Sequence, residues 1–382
     1  MNSIHFLVFG RFPTEKAYGG HLISNAKSFV ENGYKVNVYY PSTNNSKTID
    51  LDPNEYYSIS DNINFTEIRH RDITGTAVYN YLPKIIQSLL WSISGIFWAI
   101  KVKRDRENQP AVLWSTNPNL LLFSSYSNDP LIVELHGAAR YIQRISLKCI
   151  TIYRRKHIFV ATTESILDYA QNLTEYSLHL PNAVDSRIFK PSRKKNNKIT
   201  FGYVGMFETY GVEKGIYATI DIFSKVLETT DDFELVIMGG PDELLSKYKQ
   251  YVENLPIKSK ITFVPYGTQQ DAADKMSKLD VGLVPYPKSK HMTDFSSPLK
   301  FHEYASSGCA IIASDIKSNK EVEKQGYSIS YYSSGSEYEQ RILDFIKGKD
   351  SLVEDSEVNL ETAEKNSWNK RTDTVINKLK RL

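Results

Sequence analysis

The stretch Ser296-Ser297-Pro298-Leu299-Lys300-Phe301-His302-Glu303-Tyr304-Ala305-Ser306-Ser307-Gly308 combines a polar loop, a lysine and a carboxylate at helical spacing. A helix is predicted, with Ser296 or Ser297 as its cap, Pro298 at its first position and Gly308 just past its end. The free N–H groups and dipole at such a start can hold an anion. Glu303 lies about a turn and a half in, the depth of a hydroxyl pair attached to that anion. Phosphate followed by a diol is how a nucleoside diphosphate presents itself. Cys309 to Ala313 is apolar on both faces, as a parallel strand covered by helices must be. The plainer reading is a capped helix of any α/β protein.

Other constellations sit at predicted strand ends, where α/β sheets bind ligands. The loop from Pro13 to Gly20 follows the first strand, and Gly19 and Gly20 allow close backbone approach to a phosphate or sugar. The pattern is not G-x-G-x-x-G, so a dinucleotide is not expected. His136, in Glu134-Leu135-His136-Gly137, lies on this ligand-binding side of a strand, and its plainer reading is a strand-end histidine bonding locally. Read by itself, Lys214 in the loop after the strand at 199–204 is a solvated loop lysine.

These residues need elements to position them. Strand-like and helix-like runs alternate, which predicts doubly wound parallel sheets. In the first half, strands are predicted at 4–9, 35–40, 111–115, 131–135 and 157–162. A glycine-bearing loop reaches Gly20, a helix spans 21–32, and Thr163 caps another helix. Residues 182–197, with the basic run 193–195, have linker composition. The second half is predicted as strand 199–204, helix 217–227, strand 234–238, helix 242–254, strand 261–264, helix 270–279 and strand 281–285. A basic amphipathic helix closes the chain at 368–382. At 382 residues the expectation is two domains, 1–190 and 198–360, with 361–382 as a terminal crossover.

The net charge of +3 argues against a nucleic-acid partner. Cys149 and Cys309 read as buried free thiols of a reducing compartment, and no Cys/His spacing suggests zinc. The first residues read as a strand rather than a signal peptide, so a cytoplasmic protein is expected. Residues 85–100 carry no charge and are followed by Lys101, Lys103, Arg104 and Arg106. Ser88, Ser92 and Gly95 could form a less apolar strip. The readings are an amphipathic helix touching an anionic membrane through 85–106, or a core helix.

The 296–315 segment resembles the donor-binding signature of retaining glycosyltransferases of family 4. That resemblance implies a GT-B fold: α/β, two doubly wound Rossmann-like domains facing across a cleft. The second glutamate of the family's E-x7-E motif, which holds the ribose hydroxyls, maps onto Glu303. The first falls at Phe295, with Asp294 one residue earlier as its candidate replacement. Gly19 and Gly20 match the family's first glycine loop, and His136 its sugar-contacting histidine. Residues 181–191 resemble the interdomain N-G-V-D…F-x-P signature, with Ala183 in the glycine place. Gly205 and Lys214 match the V-G-R…K-G phosphate loop, with Met206 where the arginine usually stands, so the resemblance makes Lys214 the leading phosphate cation and Lys300 the second.

The resemblance further implies transfer of a glycosyl group from a UDP- or GDP-sugar to a hydroxyl with retention, without cofactor or essential metal. His136, Lys214 and Glu303 are the expected catalytic set. Gly19, Gly20, Gly205, Tyr266, Gly267, Asp294, Ser297, Leu299, Lys300 and Glu303 are the expected donor contacts, with Tyr266 and Gly267 beside the base. The acceptor is expected to be a glycan or lipid-linked sugar in cell-surface polysaccharide synthesis. Two alternatives stay open: a sugar-nucleotide epimerase of the same fold, and a non-catalytic nucleotide- or glycan-binding subunit.

Overall fold

A computed structural model describes residues 2–14, 17–42, 51–57, 59, 62–71, 76–139, 141–154, 156–192, 198–209 and 211–382. Glu15, Lys16 and the basic run 193–195 lie outside the described residues. The chain forms two compact units, one of Met1–Pro181 with Trp368–Leu382, the other of Asn182–Ser367.

The first unit holds β1 (Ser3–Leu7), α1 (Ala17–Glu31), β2 (Lys35–Pro41), α2 (Pro53–Tyr56), β3 (Ile63–Ile68), α3 (Ala77–Tyr81), α4 (Lys84–Asp105), β4 (Val112–Ser115) and α5 (Pro118–Ser124). It continues with β5 (Leu131–Leu135), α6 (Ile142–Tyr153), β6 (His157–Ala161), α7 (Glu164–Gln171) and β7 (Ser177–His179). Its seven strands run in the order β3-β2-β1-β4-β5-β6-β7, and every pairing is parallel. The strand order reverses between β1 and β4, where Ser115 Oγ donates to the Leu7 carbonyl at 2.7 Å.

The second unit holds β8 (Ile199–Val204), the small antiparallel pair β9 (Glu208–Thr209) and β10 (Val212–Glu213), α8 (Ile216–Thr229), β11 (Phe233–Gly239), α9 (Asp242–Tyr251), β12 (Ile261–Pro265), α10 (Gln269–Met276) and β13 (Val281–Val284). It continues with α11 (Lys290–Asp294), α12 (Leu299–Ser306), β14 (Ala310–Ser314), α13 (Lys317–Glu323), β15 (Ser330–Tyr332), α14 (Gly335–Lys347) and α15 (Lys349–Lys365). The parallel sheet order is β12-β11-β8-β13-β14-β15, reversing between β8 and β13. The chain then supplies α16 (Trp368–Leu379), which packs on α1 in the first unit.

Three local expectations are corrected. Gly19 and Gly20 lie in the first turn of α1 rather than in a loop. A side chain at Gly19 would meet Thr14 and Tyr57, whose hydroxyl brackets the Thr14 peptide, so close packing explains this glycine. Pro298 is itself the cap of α12, without a side-chain capping bond. The Ser297 hydroxyl instead accepts from the Asn182 amide at 3.2 Å, and its carbonyl from Asn182 Nδ2 at 2.6 Å. Cys149 is only partly buried, while Cys309 is buried as expected.

The helix α4 buries its small-residue side. Ser92, Gly95 and Trp98 face the core, and a Cβ on Gly95 would press on the Phe9 ring at 3.2 Å. The small residues therefore let the helix approach the sheet. Ile85, Ile86, Leu89, Ile93 and Phe97 are left exposed, Ile85 and Phe97 by 63% and 64%.

Candidate functional site

In the second unit the site builds up at the strand-order reversal. β8 ends in Val204-Gly205, and Gly205 has φ +138, a value that suits glycine. A Cβ there would run into the Lys300 amine, and one on Gly239 into the Gly205 carbonyl. Helix α12 is pinned beside this turn by Tyr304, whose hydroxyl accepts from the Val204 amide at 2.9 Å. The Tyr304 ring lies where a Cβ of Gly282 would be, so a glycine inside β13 makes room for the helix. At its far end Gly308, at φ +75, lets Cys309 N donate back to the Tyr304 carbonyl at 3.0 Å, closing the helix as predicted.

Lys300 and Glu303, three residues apart, share a face of α12. The Lys300 side chain is buried; its amine donates to the Val204 carbonyl and lies 4.5 Å from the Tyr203 ring centroid. Burial, with Lys214 nearby, pulls its pKa down to about 7, against the opposing pull of Glu303. The Lys214 amine sits 5.3 Å from the centroid of the buried Tyr286 ring, and burial lowers its pKa to about 8. Burial, followed by Lys214, also lowers His291 on α11. Burial and the neighbouring Glu303 raise the Tyr286 phenol, so it stays protonated.

Glu303 is pushed up from the ordinary carboxylate range by burial, with Lys300 pulling it back. Among the described residues no donor is hydrogen-bonded to its carboxylate. Two buried amines, a glycine at positive φ and an unspent carboxylate thus converge on one strand end. That arrangement suits a diphosphate with a diol beyond it.

Neighbouring features sort by what already occupies them. The start of α8 is filled from within: Glu213 accepts from the Gly215 and Ile216 amides at 2.8 and 2.6 Å, and from Tyr248 Oη at 2.9 Å. The start of α12 has no such internal acid, so its Leu299 and Lys300 amides are the ones placed for an anion. Tyr266 is exposed beside Gly240, and Gly267 packs on Asp271. Asp294 closes α11, a short helix in what the sequence presents as a connecting segment.

In the first unit His136 belongs to a buried polar cluster that sequence reasoning missed. Glu134, at the end of β5 and fully buried, has Oε1 2.8 Å from His21 Nε2 and 3.1 Å from His136 Nε2. Its Oε2 lies 3.1 Å from Arg371 of α16 and 3.4 Å from Asn25 Nδ2. Burial pushes this carboxyl up, but Arg371 and the histidines outweigh it and hold it well below the ordinary range. Burial lowers His21 despite Glu134. The Arg371 guanidinium also stacks over Trp368, 5.3 Å from its centroid. The missed signal was an acid in an otherwise apolar strand, Leu131 to Leu135.

Two parallel, doubly wound units define the class of fold: GT-B. Residues 198–347 match the family model described as Glycosyl transferases group 1. No curated protein matches the chain. Among solved structures it resembles Alr3699/HepE from Anabaena in complex with UDP and glucose, at 12% identity, covering 99% of each chain with TM-score 0.67. Sucrose-phosphate synthase from Thermosynechococcus elongatus gives TM-score 0.73 at 12% identity, covering 100% of this chain and 99% of that one. The E. coli trehalose-6-phosphate structure bound with UDP-2-fluoro glucose gives 0.68 at 12%, covering 100% and 99%. At these identities the likeness establishes the GT-B fold.

Proposed function

We propose that the protein is a retaining glycosyltransferase that takes its sugar from a nucleoside diphosphate sugar and delivers it to a hydroxyl acceptor. The observation that carries this reading is the convergence of Gly205, Lys214, Lys300 and the unspent Glu303 carboxylate at the end of β8. Glu303 would hold the ribose. The amides of Leu299 and Lys300, with the two lysines, would hold the diphosphate and stabilise its departure. UDP is the favoured nucleotide, because HepE and the E. coli structure of the same fold bind UDP compounds. In this reading the departing diphosphate takes the acceptor proton on the face it leaves from. A thermal-shift screen with UDP, GDP and their sugar conjugates, with and without EDTA, tests it. Stabilisation by one nucleotide, indifferent to EDTA, is expected; no shift with any would overturn it. Met206 and Phe295, apolar where the family is polar, favour a nucleotide-binding subunit without transfer as the second reading. Nucleotide binding without transfer or donor hydrolysis would select that reading.

The lysines make binding pH-dependent. A diphosphate binds their protonated forms, so binding takes up protons. Affinity should be level below the Lys300 value of about 7 and fall as pH rises through the Lys214 value of about 8. Calorimetry in two buffers of different ionisation enthalpy reads the uptake, and flat affinity across this interval would remove the lysines from the phosphate site.

The acceptor is proposed to be a lipid-linked or nascent surface glycan. The exposed row on α4 supports membrane-surface contact, with Val78 and Tyr81 of α3 and Ile145, Ile152 and Tyr153 of α6 exposed in the same unit. Lys84, Lys101 and Arg104 flank the row. Helix α4 is long and apolar enough to cross a bilayer, but its Ser92-Gly95-Trp98 side is packed on the protein, which suits lying at the surface. Wild-type protein should float with vesicles containing anionic lipid. Ile85→Ser with Phe97→Ser should lose at least about tenfold in binding, since each apolar side chain contributes roughly 1.5–3 kcal/mol on full burial. Equal flotation of the variant would remove the membrane claim.

A further inference from the structure

We propose that His21, Glu134 and His136 form a binding site for a divalent transition-metal ion in the first unit. Their ligand atoms lie within 4.8 Å of one another. Two imidazole nitrogens and one carboxylate oxygen are the mixed donor set that zinc, cobalt, nickel and copper accept, whereas magnesium and calcium select oxygens. Three separate places in the fold supply them: the first turns of α1, the end of β5 and the turn after it.

Two features go beyond proximity. The Glu134 carboxylate is oriented from behind, because Arg371 and Asn25 engage Oε2 while Oε1 faces both imidazoles. Metal-binding carboxylates are held by such an outer layer of hydrogen bonds. The second feature is His21 Nε2. It is buried and shares Glu134 Oε1, 2.8 Å away, with His136 Nε2 at 3.1 Å, so two imidazole nitrogens converge on one carboxylate oxygen. Such a convergence of ligand atoms is what a metal ion can occupy. His136 is 40% exposed, which supplies an entry path and leaves an open coordination position for water or a substrate oxygen. Arg371 tempers the affinity, because its charge offsets that of Glu134.

The consequence for activity rests on reading His136 as a sugar contact. An ion on its nitrogen would then block that contact and inhibit transfer. The site itself is tested without activity. Untagged full-length protein, freed of metal with a chelator, is titrated with Co2+ by visible absorption and then with Zn2+ in competition. One saturable equivalent with a ligand-field band is expected. His136→Ala and His21→Gln should each weaken it by at least about tenfold, and His136→Ala, at a partly exposed position, should keep the wild-type melting temperature. An absent band in wild type, or an equal one in His136→Ala, would overturn the proposal. The trio would then serve only as hydrogen-bonded support for α16. Zinc binding that leaves transfer unaffected would keep the metal site and remove His136 from the sugar.

Discussion

Glu303→Ala is expected to weaken nucleotide binding about a hundredfold while leaving the unliganded fold as stable as wild type. The affinity loss comes from two hydroxyl-to-carboxylate bonds. Hydrogen bonds to a charged group contribute roughly 1.5–3 kcal/mol each, and about 3 kcal/mol corresponds to roughly two orders of magnitude in Kd. Stability should hold because the carboxylate has no hydrogen-bonded donor to orphan among the described residues, and its raised pKa marks its burial as a cost. Glu303→Gln keeps the shape and should fall between. Titration calorimetry with UDP and UDP-glucose, beside a melting curve of the free protein, reads both sides. Near-wild-type affinity in Glu303→Ala would remove the ribose role. A large drop in melting temperature would make the residue structural instead.

The opposite signature is expected at Glu134. Removing one partner of a buried ion pair leaves an uncompensated charge, at a cost of about 3–5 kcal/mol. Glu134→Gln strands Arg371, and Arg371→Met strands Glu134, so each should lower the melting temperature of the first unit by roughly 6–20 °C at about 2–4 °C per kcal/mol. The double variant should recover much of this, since it removes both charges. Additive losses in the double variant would show that the pair is not coupled. The pH sign comes from the lowered folded pKa: the contribution is complete above the unfolded carboxylate value of 4.5 and is lost as pH falls below it. Wild-type protein should therefore lose stability on acidification in that range, and Glu134→Gln should lose less.

These two carboxylates differ in how they could be found. Glu303 stands three residues after Lys300 inside a segment whose face and stop are written locally, so its place on the helix was legible. Glu134 has partners at 21, 25, 136 and 371, and no local pattern links positions so far apart. Even the legible helix kept something back. Lys300 reads as a phosphate cation, but its burial and its bond to the Val204 carbonyl depend on β8, 96 residues away in sequence.

Local residue patterns were enough for the alternation of strands and helices, the two parallel sheets, the strand at 199–204, the Thr163 cap with its bond from the Ile166 amide, and the Gly308 stop. Each rests on hydrophobic period, capping chemistry or glycine's access to positive φ, properties that act within a few residues. Long-range packing was needed for the strands at Ile63–Ile68, Ser177–His179 and Ser330–Tyr332, which are sheet-edge segments of mixed polarity that only a neighbour's hydrogen bonds make into strands. It also set which side of Lys84–Asp105 is buried, because Gly95 yields to the Phe9 ring and so turns the isoleucines outward. It placed Gly19 inside a helix, since Thr14 and Tyr57 fill the space a side chain would need. Local chemistry fixes what each segment can become, while burial is set by whichever distant segment packs against it.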